Sequence, residues 1–451
     1  MKTIPRFIEK ISDYGIKPAI IEKGVIYTYS QLHARIQFYN EKLKNLKIRE
    51  GDIVFLLSDY SVEAIALFFS LSLNKNLIIP VTTDNTEEIK DRLNEAKPNW
   101  ILDLNKDEFV FVEENRSSER HSIINSLIKE NASGLVLFSS GTTGKPKAMV
   151  HNLDKLLEVY LDRKSKEMNF LVFLMFDHIG GLNTLFNCLS MGVVITIPPN
   201  RNPDDISKLI EKFKINILPA SPTFLNLMVI SGVFEKYDFS SLKMVTYGTE
   251  AMPEGLLLRL KEKLPRVKFL QTFGTSETGI VKAVSKSSSS TFLKFDDPDQ
   301  EFQIVKGELW LRSKTQILGY INHHNESFTD DGWFKTGDLV EESDDGYLRI
   351  IGRTKEMINV GGEKVLPGEV ESVIMEIDSI LDCIVRGEKN AITGQMVCAD
   401  IVLKEGFDFK EEKSKVKKYC MQRLEMYKVP LRINLIDSIA VTSRFKKDRL
   451  L

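Results

Sequence analysis

The sequence predicts an α/β protein in which a large N-terminal domain of layered, parallel-rich sheets and helices precedes a small α+β C-terminal domain. A chain of 451 residues is too long for one compact core, so we expect two or three domains. Apolar runs of strand length alternate with helical patterns over much of the chain, which is typical of βαβ units and a mostly parallel sheet. From Gln303 onward the strands become shorter and turn signals more frequent. We place the main boundary just after Arg353, which gives domains at residues 1–353 and 354–451.

The elements of the large domain follow from apolar runs and their flanking residues. Residues 25–31 predict a strand and a turn, with Ser30 as the N-cap of the next helix. The alternation continues with strands at 53–57, 77–81, 134–138, 191–197 and 215–219, and with helices at 64–73 and 206–213. Two more strands, at 242–247 and 267–271, lead into turns that contain glycine. Ligands of open α/β sheets bind beyond the carboxyl ends of the strands, so we expect these turns to meet at one crevice.

Two amphipathic stripes predict the helices of the small domain. Pro367 suits the first position of a helix, where its missing N–H has no partner to lose. The apolar faces are Val370, Val373, Ile374 and Ile377 in the first helix and Val416, Tyr419, Cys420 and Leu424 in the second. The second stripe lies opposite many lysines. Such helices typically pack on a small sheet.

Composition and charge exclude several classes of protein. A formal net charge of −2 gives no electrostatic reason to expect nucleic acid or an anionic membrane as a partner. The most apolar runs, residues 169–176 and 191–198, are too short to cross a bilayer, and residues 1–7 lack the apolar core of a signal peptide. The four cysteines are widely spaced without a C-x-x-C pair, so neither a disulfide framework nor a zinc site is indicated. We therefore expect a reduced, cytoplasmic protein with no membrane span.

Residues 138–149 read F-S-S-G-T-T-G-K-P-K-A-M and crowd hydroxyl groups, glycines and lysines directly after an apolar run. A loop of this composition offers backbone N–H groups, hydroxyl donors and positive charge at one point, which suits a polyphosphate. A flexible turn with solvated lysines is the alternative, but ordinary turns seldom concentrate donors so heavily. A P-loop is excluded because Ser139 stands where that motif needs glycine, and Pro146 follows Lys145 where it needs Ser or Thr.

Further motifs after strands carry groups that suit a nucleotide. In the turn T-F-G-T-S-E-T-G at 272–279, Phe273 offers a ring face for a base and the glycines permit close approach of the backbone. Glu277 is a hard oxygen ligand suited to Mg²⁺ that bridges phosphates, although taken alone it is equally well explained as a surface carboxylate. Asp338, in the sequence T-G-D, can accept two hydrogen bonds at once, which fits the two hydroxyls of a ribose.

Together these motifs resemble those of the adenylate-forming (AMP-binding) superfamily, which comprises acyl- and aryl-CoA ligases, peptide-synthetase adenylation domains and luciferases. Five motifs occur in the family's order, and the resemblance covers nearly the whole chain. Two positions depart from the family pattern. Ala148 replaces a glycine that usually ends the phosphate loop, and Phe445 replaces the glycine of the terminal Ser-Gly-Lys tripeptide.

The resemblance implies a reaction in two steps. A carboxylate attacks the α-phosphate of MgATP, which releases pyrophosphate and leaves an acyl-adenylate, and the acyl group then passes to a thiol. No side-chain nucleophile is required, so catalysis consists of positioning and charge stabilisation. The small C-terminal domain is implied to be mobile, with a hinge at Lys355, and to present Gly361 and Gly362 to the thiol in the second step.

The resemblance also assigns roles to individual residues. Lys446 is implied to neutralise charge at the reacting centre, with Thr142 and the metal ligand Glu277 as the other catalytic residues. Lys447 is the neighbouring alternative to Lys446, and Arg449 matches a downstream arginine of the family. The residues implied to bind ATP or AMP are Ser139, Ser140, Gly141, Thr143, Gly144, Lys147, Gly248, Thr249, Glu250, Thr272, Phe273, Gly274, Thr275, Asp338 and Arg353.

The implied acyl pocket points to an apolar acid. Its residues, on resemblance, are His178, Ile179, Gly181, Ser221 and Tyr247. In amino-acid-activating relatives an aspartate that binds the substrate ammonium stands at the position of Ile179. A buried ammonium without a carboxylate partner would be costly, so the pocket is expected to take a fatty or aryl acid rather than an α-amino acid.

Three hypotheses stay open on the sequence alone. The first is an acid–CoA ligase that uses ATP, Mg²⁺ and CoA. The second is an adenylating enzyme that loads the phosphopantetheine arm of an acyl carrier protein. The third is a catalytically silent nucleotide-binding relative, which Phe445 in place of glycine would favour. The first two share every motif, and a lysine-rich small domain suits either CoA phosphates or an acidic carrier.

Overall fold

The computed structural model describes residues 2–112, 120–139, 146–324, 326–442 and 444–448. Its α-helices are α1 (Thr3–Asp13), α2 (Tyr29–Asn45), α3 (Val62–Leu73), α4 (Thr86–Ala96), α5 (Ser122–Glu130), α6 (Leu153–Glu158), α7 (Ile179–Met191), α8 (Pro203–Lys212), α9 (Pro222–Ile230), α10 (Glu254–Lys263), α11 (Pro367–Ile374) and α12 (Phe409–Arg423). Short 3₁₀ turns occur at Val233–Glu235, Thr354–Glu356 and Met426–Lys428.

The strands of the first two thirds of the chain are β1 (Pro18–Glu22), β2 (Val25–Thr28), β3 (Ile53–Leu57), β4 (Leu77–Val81), β5 (Trp100–Asp103), β6 (Glu108–Phe111), β7 (Gly134–Ser139), β8 (Lys147–Asn152), β9 (Asn169–Leu171), β10 (Val194–Ile197), β11 (Ile217–Ala220), β12 (Met244–Tyr247), β13 (Lys268–Gln271), β14 (Phe273–Thr275), β15 (Gly279–Val281), β16 (Ala283–Ser285) and β17 (Leu293–Phe295). The later strands are β18 (Gln300–Val305), β19 (Glu308–Ser313), β20 (Gly319–Tyr320), β21 (Phe334–Glu342), β22 (Leu348–Arg353), β23 (Ile358–Val360), β24 (Glu363–Val365), β25 (Ile380–Asn390), β26 (Gly394–Leu403) and β27 (Arg432–Leu435).

Two seven-stranded sheets form most of the large domain. The first has the order β13-β12-β11-β9-β10-β1-β2 and is parallel except at β1–β2. The second has the order β20-β8-β7-β4-β3-β5-β6, with parallel pairs in its centre and antiparallel pairs at its two ends. One hydrophobic core joins α1, α2, α3 and α7 to strands of both sheets. The predicted layered, parallel-rich architecture is confirmed.

The chain changes character after β15. The expectation of shorter strands from Gln303 onward is wrong, because β21, β25 and β26 contain 9, 11 and 10 residues. A six-stranded sheet of order β16-β17-β22-β21-β19-β18 is antiparallel throughout. Beyond it, β23 to β27 form a five-stranded sheet that packs with α11 and α12 around a core of its own, from Ile358 to Ile433. The α+β character of this smaller part is confirmed. The boundary just after Arg353 stays a prediction.

Helix α10 of the large part of the chain contacts the small part at the end of α11. Arg259 donates to the carbonyls of Met375, Ile377 and Ile380, at 2.6, 3.1 and 3.0 Å. Gly255 lies so close that a Cβ there would come within 2.9 Å of the Met375 carbonyl oxygen. The contact therefore depends on two residues of α10. The Arg259 guanidinium binds the carbonyls at the end of α11, and Gly255 lets the two backbones approach closely.

The predicted N-cap at Ser30 is wrong, because α2 begins at Tyr29 and is capped by Thr28, two residues before Ser30. The Thr28 hydroxyl accepts from the Gln31 N–H at 3.2 Å, and the Gln31 side chain accepts from the Thr28 N–H at 2.8 Å. This reciprocal capping box satisfies two N–H groups at once, which Ser30 could not do from inside the first turn.

The strand predicted at 191–197 also begins later, at Val194. Met191 ends α7, and Gly192 caps that helix with a left-handed backbone at φ 64°. The ring of Tyr14 lies 2.4 Å from where a Cβ would stand, so glycine is required both by the backbone and by packing. Across the described ranges, no helix combines the length and the apolarity needed to traverse a bilayer.

Candidate active site

Strand pairing holds the two ends of the predicted phosphate loop together. Ser139 ends β7 and pairs in antiparallel register with Lys147, which begins β8. Asn322 braces the second end, because its Oδ1 accepts from the Ala148 N–H at 2.9 Å and its Nδ2 donates to the Pro146 carbonyl at 2.8 Å. The predicted loop residues Ser140, Gly141, Thr142, Thr143, Gly144 and Lys145 lie outside the described residues.

Lys147 and Glu277 meet at Tyr320, which β20 brings against β8. The Tyr320 hydroxyl donates to Glu277 Oε1 at 3.1 Å, and Lys147 Nζ lies 5.7 Å from the centre of the Tyr320 ring. Burial raises the pKa of Glu277, although Tyr320 opposes the shift. Burial and the positive charge of Lys355 lower the pKa of Lys147. An ammonium and a carboxylate therefore lie together at the end of the phosphate loop.

Glu277 fits the predicted role of a magnesium ligand. It is a half-buried carboxylate fixed by one hydrogen bond, and Mg²⁺ is usually bound by one or two protein carboxylates together with phosphates and water. The part of the chain that the structure describes holds no group of three or more His, Cys, Asp or Glu side chains that could bind a metal unaided. The phosphates of a nucleotide would have to supply further ligands.

The two glycine-containing turns converge, as their strands predict. Strands β12 and β13 run parallel with Tyr247 beside Gln271, and the Thr272 N–H donates to the Tyr247 carbonyl at 2.7 Å. A Cβ on Gly248 would lie 2.7 Å from the Thr272 carbonyl oxygen, so only glycine lets the two turns approach this closely. Thr249 follows with a left-handed backbone at φ 72°.

Phe273, Gly274 and Thr275 form the short strand β14 beside β15. The half-buried ring of Phe273 packs against that of Phe295 in a tilted arrangement, with centroids 5.7 Å apart. A Cβ on Gly274 would lie 2.6 Å from the Gly279 carbonyl oxygen. The Thr275 hydroxyl accepts from the Thr278 N–H at 3.0 Å and so fixes the turn that carries Glu277. Their predicted nucleotide contacts stay predictions.

Asp338 and Arg353 face each other across β21 and β22. The two residues are direct partners in the antiparallel register, and Arg353 Nε donates to Asp338 Oδ1 at 2.8 Å. Burial raises the pKa of Asp338 although Arg353 opposes it, and the carboxylate in turn raises the pKa of Arg353. The pairing across one strand pair explains why two residues 15 apart in sequence form one ionic unit.

The C-terminal tail, comprising residues 441–442 and 444–448, folds into a tight turn that presents Lys446. An antiparallel bridge joins Val441 to Lys447, and the Thr442 N–H donates to the Lys446 carbonyl at 2.9 Å. Lys446 lies at a small cleft, which is lined by Phe173, Leu174, Met175, His178, Thr249, Arg444, Phe445 and Lys446. Burial and then the positive charge of Arg353 lower the pKa of Lys446, against the opposing charge of Glu250 and Asp338.

Lys447, the alternative to Lys446, is occupied elsewhere. Its ammonium donates to Asp382 Oδ1 at 2.7 Å and to the Cys383 carbonyl at 2.6 Å. Burial alone would lower the pKa of Lys447, but Asp382 outweighs burial and raises it. Of the two lysines, Lys446 therefore lines the cleft and Lys447 anchors the tail to the small domain.

Polar side chains of the large domain contact the tail at three of its residues. The Ser221 hydroxyl donates to the Phe445 carbonyl at 2.7 Å, and Glu250 Oε1 accepts from the Lys447 N–H at 3.0 Å. Arg444 lies 3.6 Å from Asp177 Oδ2, measured at its Nη2. Ser221 and Glu250, predicted to contact acid and nucleotide respectively, thus bind the tail here.

His178 is the member of the predicted acyl pocket that lines the cleft. Its Nδ1 accepts from the Gly180 N–H at 3.1 Å and caps α7. Burial, with Arg444 and Lys446 nearby, lowers the pKa of His178 to about 3. The imidazole is therefore neutral at pH 7, with its proton on Nε2 because Nδ1 acts as the acceptor.

The other predicted pocket residues lie in packed surroundings. Ile179 is part of the core around α7, and Tyr247 is buried against the helices of the neighbouring core. A Cβ on Gly181 would lie 2.1 Å from the Met175 carbonyl oxygen, so this glycine serves close packing at the start of α7. Neither Ile179, Gly181 nor Tyr247 lines the cleft in this structure, and their contact with the acid stays a prediction.

The predicted hinge and thiol residues lie outside the cleft. Lys355 is exposed in the 3₁₀ turn that follows β22. Gly361 and Gly362 form the exposed turn between β23 and β24, with left-handed backbones at φ 63° and 100°. The arrangement with Lys446 at the cleft and the glycine turn away from it corresponds to the first of the two predicted steps.

Sequence reasoning missed three groups of the site. Tyr320 holds Glu277, Asp177 receives Arg444, and Asp382 binds Lys447. The Asp177-His178 pair follows a strongly apolar segment, which was a usable signal. The other two depend on contacts between residues far apart in sequence, which no local pattern reveals.

Replacing Asp382 with asparagine should weaken the docking of the tail. The buried ammonium of Lys447 would keep a neutral partner in place of a charged one, a loss of about 1–3 kcal/mol. If Lys446 acts in adenylate formation, as the resemblance implies, the rate of ATP–pyrophosphate exchange should fall ~10- to ~100-fold because Lys446 loses its position. Asp378→Asn removes the same charge from a fully exposed side chain and should change the rate little. Equal effects of the two substitutions would contradict this role.

The sequence profile of the family described as AMP-binding enzyme matches residues 7–321, and that of the AMP-binding enzyme C-terminal domain matches residues 369–446. The chain is 25% identical to "4-coumarate-CoA ligase 1" of Narcissus pseudonarcissus, over 96% of this chain and 89% of that protein.

Solved structures share the fold. The anthranilate CoA ligase AuaEII in complex with anthranoyl-AMP matches with a TM-score of 0.84 at 20% identity, over 99% of this chain and 95% of the other. A four-domain nonribosomal peptide synthetase bound to AMP and glycine matches with a TM-score of 0.82 at 20% identity, over 100% of this chain and 36% of the other.

Proposed function

Because the chain belongs to the AMP-binding enzyme family, we propose that it is an ATP-dependent acid–CoA ligase that activates an apolar carboxylic acid through an acyl-adenylate. Curated relatives named as CoA ligases support this proposal. The observation that carries it is the position of Lys446, half-buried at a cleft beside the neutral His178 and within the electrostatic field of Asp338 and Glu250.

In the first step, an oxygen of the carboxylate attacks the α-phosphorus of ATP as the bond to pyrophosphate breaks. Negative charge develops on the α-phosphate, and Lys446 is the cation placed to neutralise it. Lys147 and the loop that it ends would hold the departing β- and γ-phosphates, while Asp338 would accept hydrogen bonds from the ribose hydroxyls. Mg²⁺ bound at Glu277 would supply further charge neutralisation on the phosphates. In the second step, the sulfur of CoA attacks the acyl carbon and AMP leaves.

An apolar acid suits the surroundings of the cleft. Asp177 is the carboxylate nearest to His178 in sequence, but its oxygens are already bound by Thr82 and Arg92, each at 3.0 Å. Burial alone would raise the pKa of Asp177, but Arg444 and Arg92 lower it below its usual value. A substrate ammonium would therefore have to compete with two arginines for this group.

A carrier protein is the second candidate for the thiol acceptor. The outer face of α12 supports it, because a line of exposed lysines there would complement an acidic partner. These lysines are Lys410, Lys413, Lys415, Lys417 and Lys418. The nucleotide phosphates of CoA would be attracted to the same charges, so the acceptor has to be decided by experiment.

The test is ATP–pyrophosphate exchange over a panel of fatty, aryl and amino acids, followed by AMP release with and without CoA. Exchange with apolar acids and a CoA-dependent rise in AMP release are the expected results. Exchange without stimulation by CoA would indicate a carrier protein as the acceptor. Absence of exchange with every acid would overturn the proposal and leave a silent nucleotide-binding relative.

A further inference from the structure

Phe445 occupies a backbone conformation that an aromatic residue rarely adopts. Its φ is 54°, in the left-handed region where glycine carries no steric penalty and a side chain does. The turn of the tail imposes this conformation, because the Phe445 N–H donates to the Thr442 carbonyl at 2.9 Å and the Lys446 N–H donates to the Thr442 hydroxyl at 3.2 Å. A backbone conformation that costs free energy persists only where other contacts offset that cost, so we expect such contacts at the phenyl ring of Phe445.

The side chain of Phe445 completes an aromatic cluster of the large domain. Phe173 and Phe224 are fully buried and pack with ring centroids 4.1 Å apart. The ring of Phe445 lies 5.0 Å from that of Phe173 and 5.4 Å from that of Phe224, the latter edge-on. Offset and edge-on contacts of this kind are favourable, which offsets the strained backbone.

The same ring lines the cleft beside the catalytic candidate. Phe445 precedes Lys446, and both lie with His178 and Thr249 along the cleft. The Ser221 hydroxyl holds the Phe445 backbone through a hydrogen bond of 2.7 Å to its carbonyl, and packing against Phe173 and Phe224 holds the ring. A carboxylate that reaches Lys446 would therefore place its apolar part next to this ring.

On the basis of the proposed function, we propose that Phe445 determines acid specificity by forming a wall of the acyl pocket that is present only when the tail is docked. The ring takes space that a glycine would leave open, so it limits the length of the acid that can be adenylated. Short or flat acids, which can stack on the ring, fit beside it. The selection is confined to the first step, in which the tail supplies Lys446.

The test is ATP–pyrophosphate exchange with straight-chain acids of increasing length and with aryl acids, for the wild type and four variants. Phe445→Gly removes the ring and the backbone strain, whereas Phe445→Ala removes the ring alone. Both should raise kcat/KM for longer acids relative to short ones by ~10-fold or more, because one methylene in an apolar pocket changes the rate by about that factor. Phe445→Leu keeps most of the side-chain volume and should retain the wild-type limit on acid length. Phe445→Trp should lower the length of the longest acid that is adenylated.

The ratio of kcat/KM for long acids to kcat/KM for short acids distinguishes a role of Phe445 in specificity from a purely structural role. A ring that only anchors the tail would lower kcat/KM for all acids by the same factor, and an unchanged length limit in all four variants would overturn the inference. Calorimetry with acyl-sulfamoyl adenosines of different acyl length measures binding without turnover. The longest acyl chain that binds should change in the variants in the same direction as the longest acid that is adenylated. If the wild type exchanges with no acid, the proposed function fails; if it exchanges but the variants keep its preference, only this inference fails.

Discussion

Replacing Lys446 with alanine is expected to abolish adenylate formation and to spare the transfer of an acyl group from a supplied acyl-adenylate to the thiol. Lys446 is the lysine that lines the cleft, and removal of one preorganised group that stabilises developing charge costs roughly 100- to 1,000-fold in rate. Since Lys447 is bound to Asp382 and the Cys383 carbonyl, it cannot substitute for the missing ammonium.

The two half-reactions are measured separately, as ATP–pyrophosphate exchange and as thioester formation from purified acyl-adenylate. The second half-reaction acts as the internal control, because a misfolded variant would lose both. Similar losses in the two half-reactions would contradict the assignment of Lys446 to the first step. Retained exchange in the alanine variant would instead point to a different cation.

Replacing Glu277 with glutamine should be the second most damaging change. Glutamine keeps an oxygen that can accept from Tyr320, but it removes the negative charge that suits Mg²⁺. The loss should exceed the ~10- to ~100-fold that is typical when a group supporting a metal ligand is altered. The dependence of exchange on Mg²⁺ concentration should move to higher concentrations.

Tyr320→Phe is the matched control for this experiment. It removes the hydrogen bond to Glu277 and leaves the carboxylate, so exchange should fall by no more than ~10-fold. An unaltered Mg²⁺ dependence in Glu277→Gln would show that the carboxylate is not a metal ligand. A larger loss in Tyr320→Phe than in Glu277→Gln would assign the main role to the tyrosine.

Local patterns were sufficient to predict the parallel-rich architecture and the convergence of the two glycine-containing turns. Buried strands alternate with helices and end in glycine, and parallel strands place their carboxyl ends on one edge, so Gly248 and Thr272 had to lie close together. The start of α2 was missed because Thr28 and Ser30 can both cap a helix, and the choice depends on the reciprocal bond from Gln31.

Only the site residues that belong to sequence motifs could be predicted from the sequence. Tyr320 joins the site through pairing with β8, whose residues lie about 170 positions earlier in the chain. The different surroundings of Lys446 and Lys447 depend on Asp382, which lies 65 positions before Lys447. Pairings at such separations are set by tertiary packing, and a single sequence contains no periodicity that encodes them.

The contacts between the tail and the large domain share one property that affects the free energy of undocking the tail. Each large-domain group that binds the tail also has a resident partner. Asp177 keeps Arg92, Glu250 keeps the Thr223 hydroxyl, and the Ser221 hydroxyl also accepts from the Phe224 N–H.

Departure of the tail would therefore leave no unpaired charge at these three side chains of the large domain, and the ion pair between Lys447 and Asp382 would stay intact if the tail moved with the small domain. Because an orphaned buried charge would cost several kcal/mol, this arrangement keeps the undocked state energetically accessible. Movement of the tail stays a prediction, and if it occurs, ligands that bind only the docked or only the undocked state should shift the equilibrium between them.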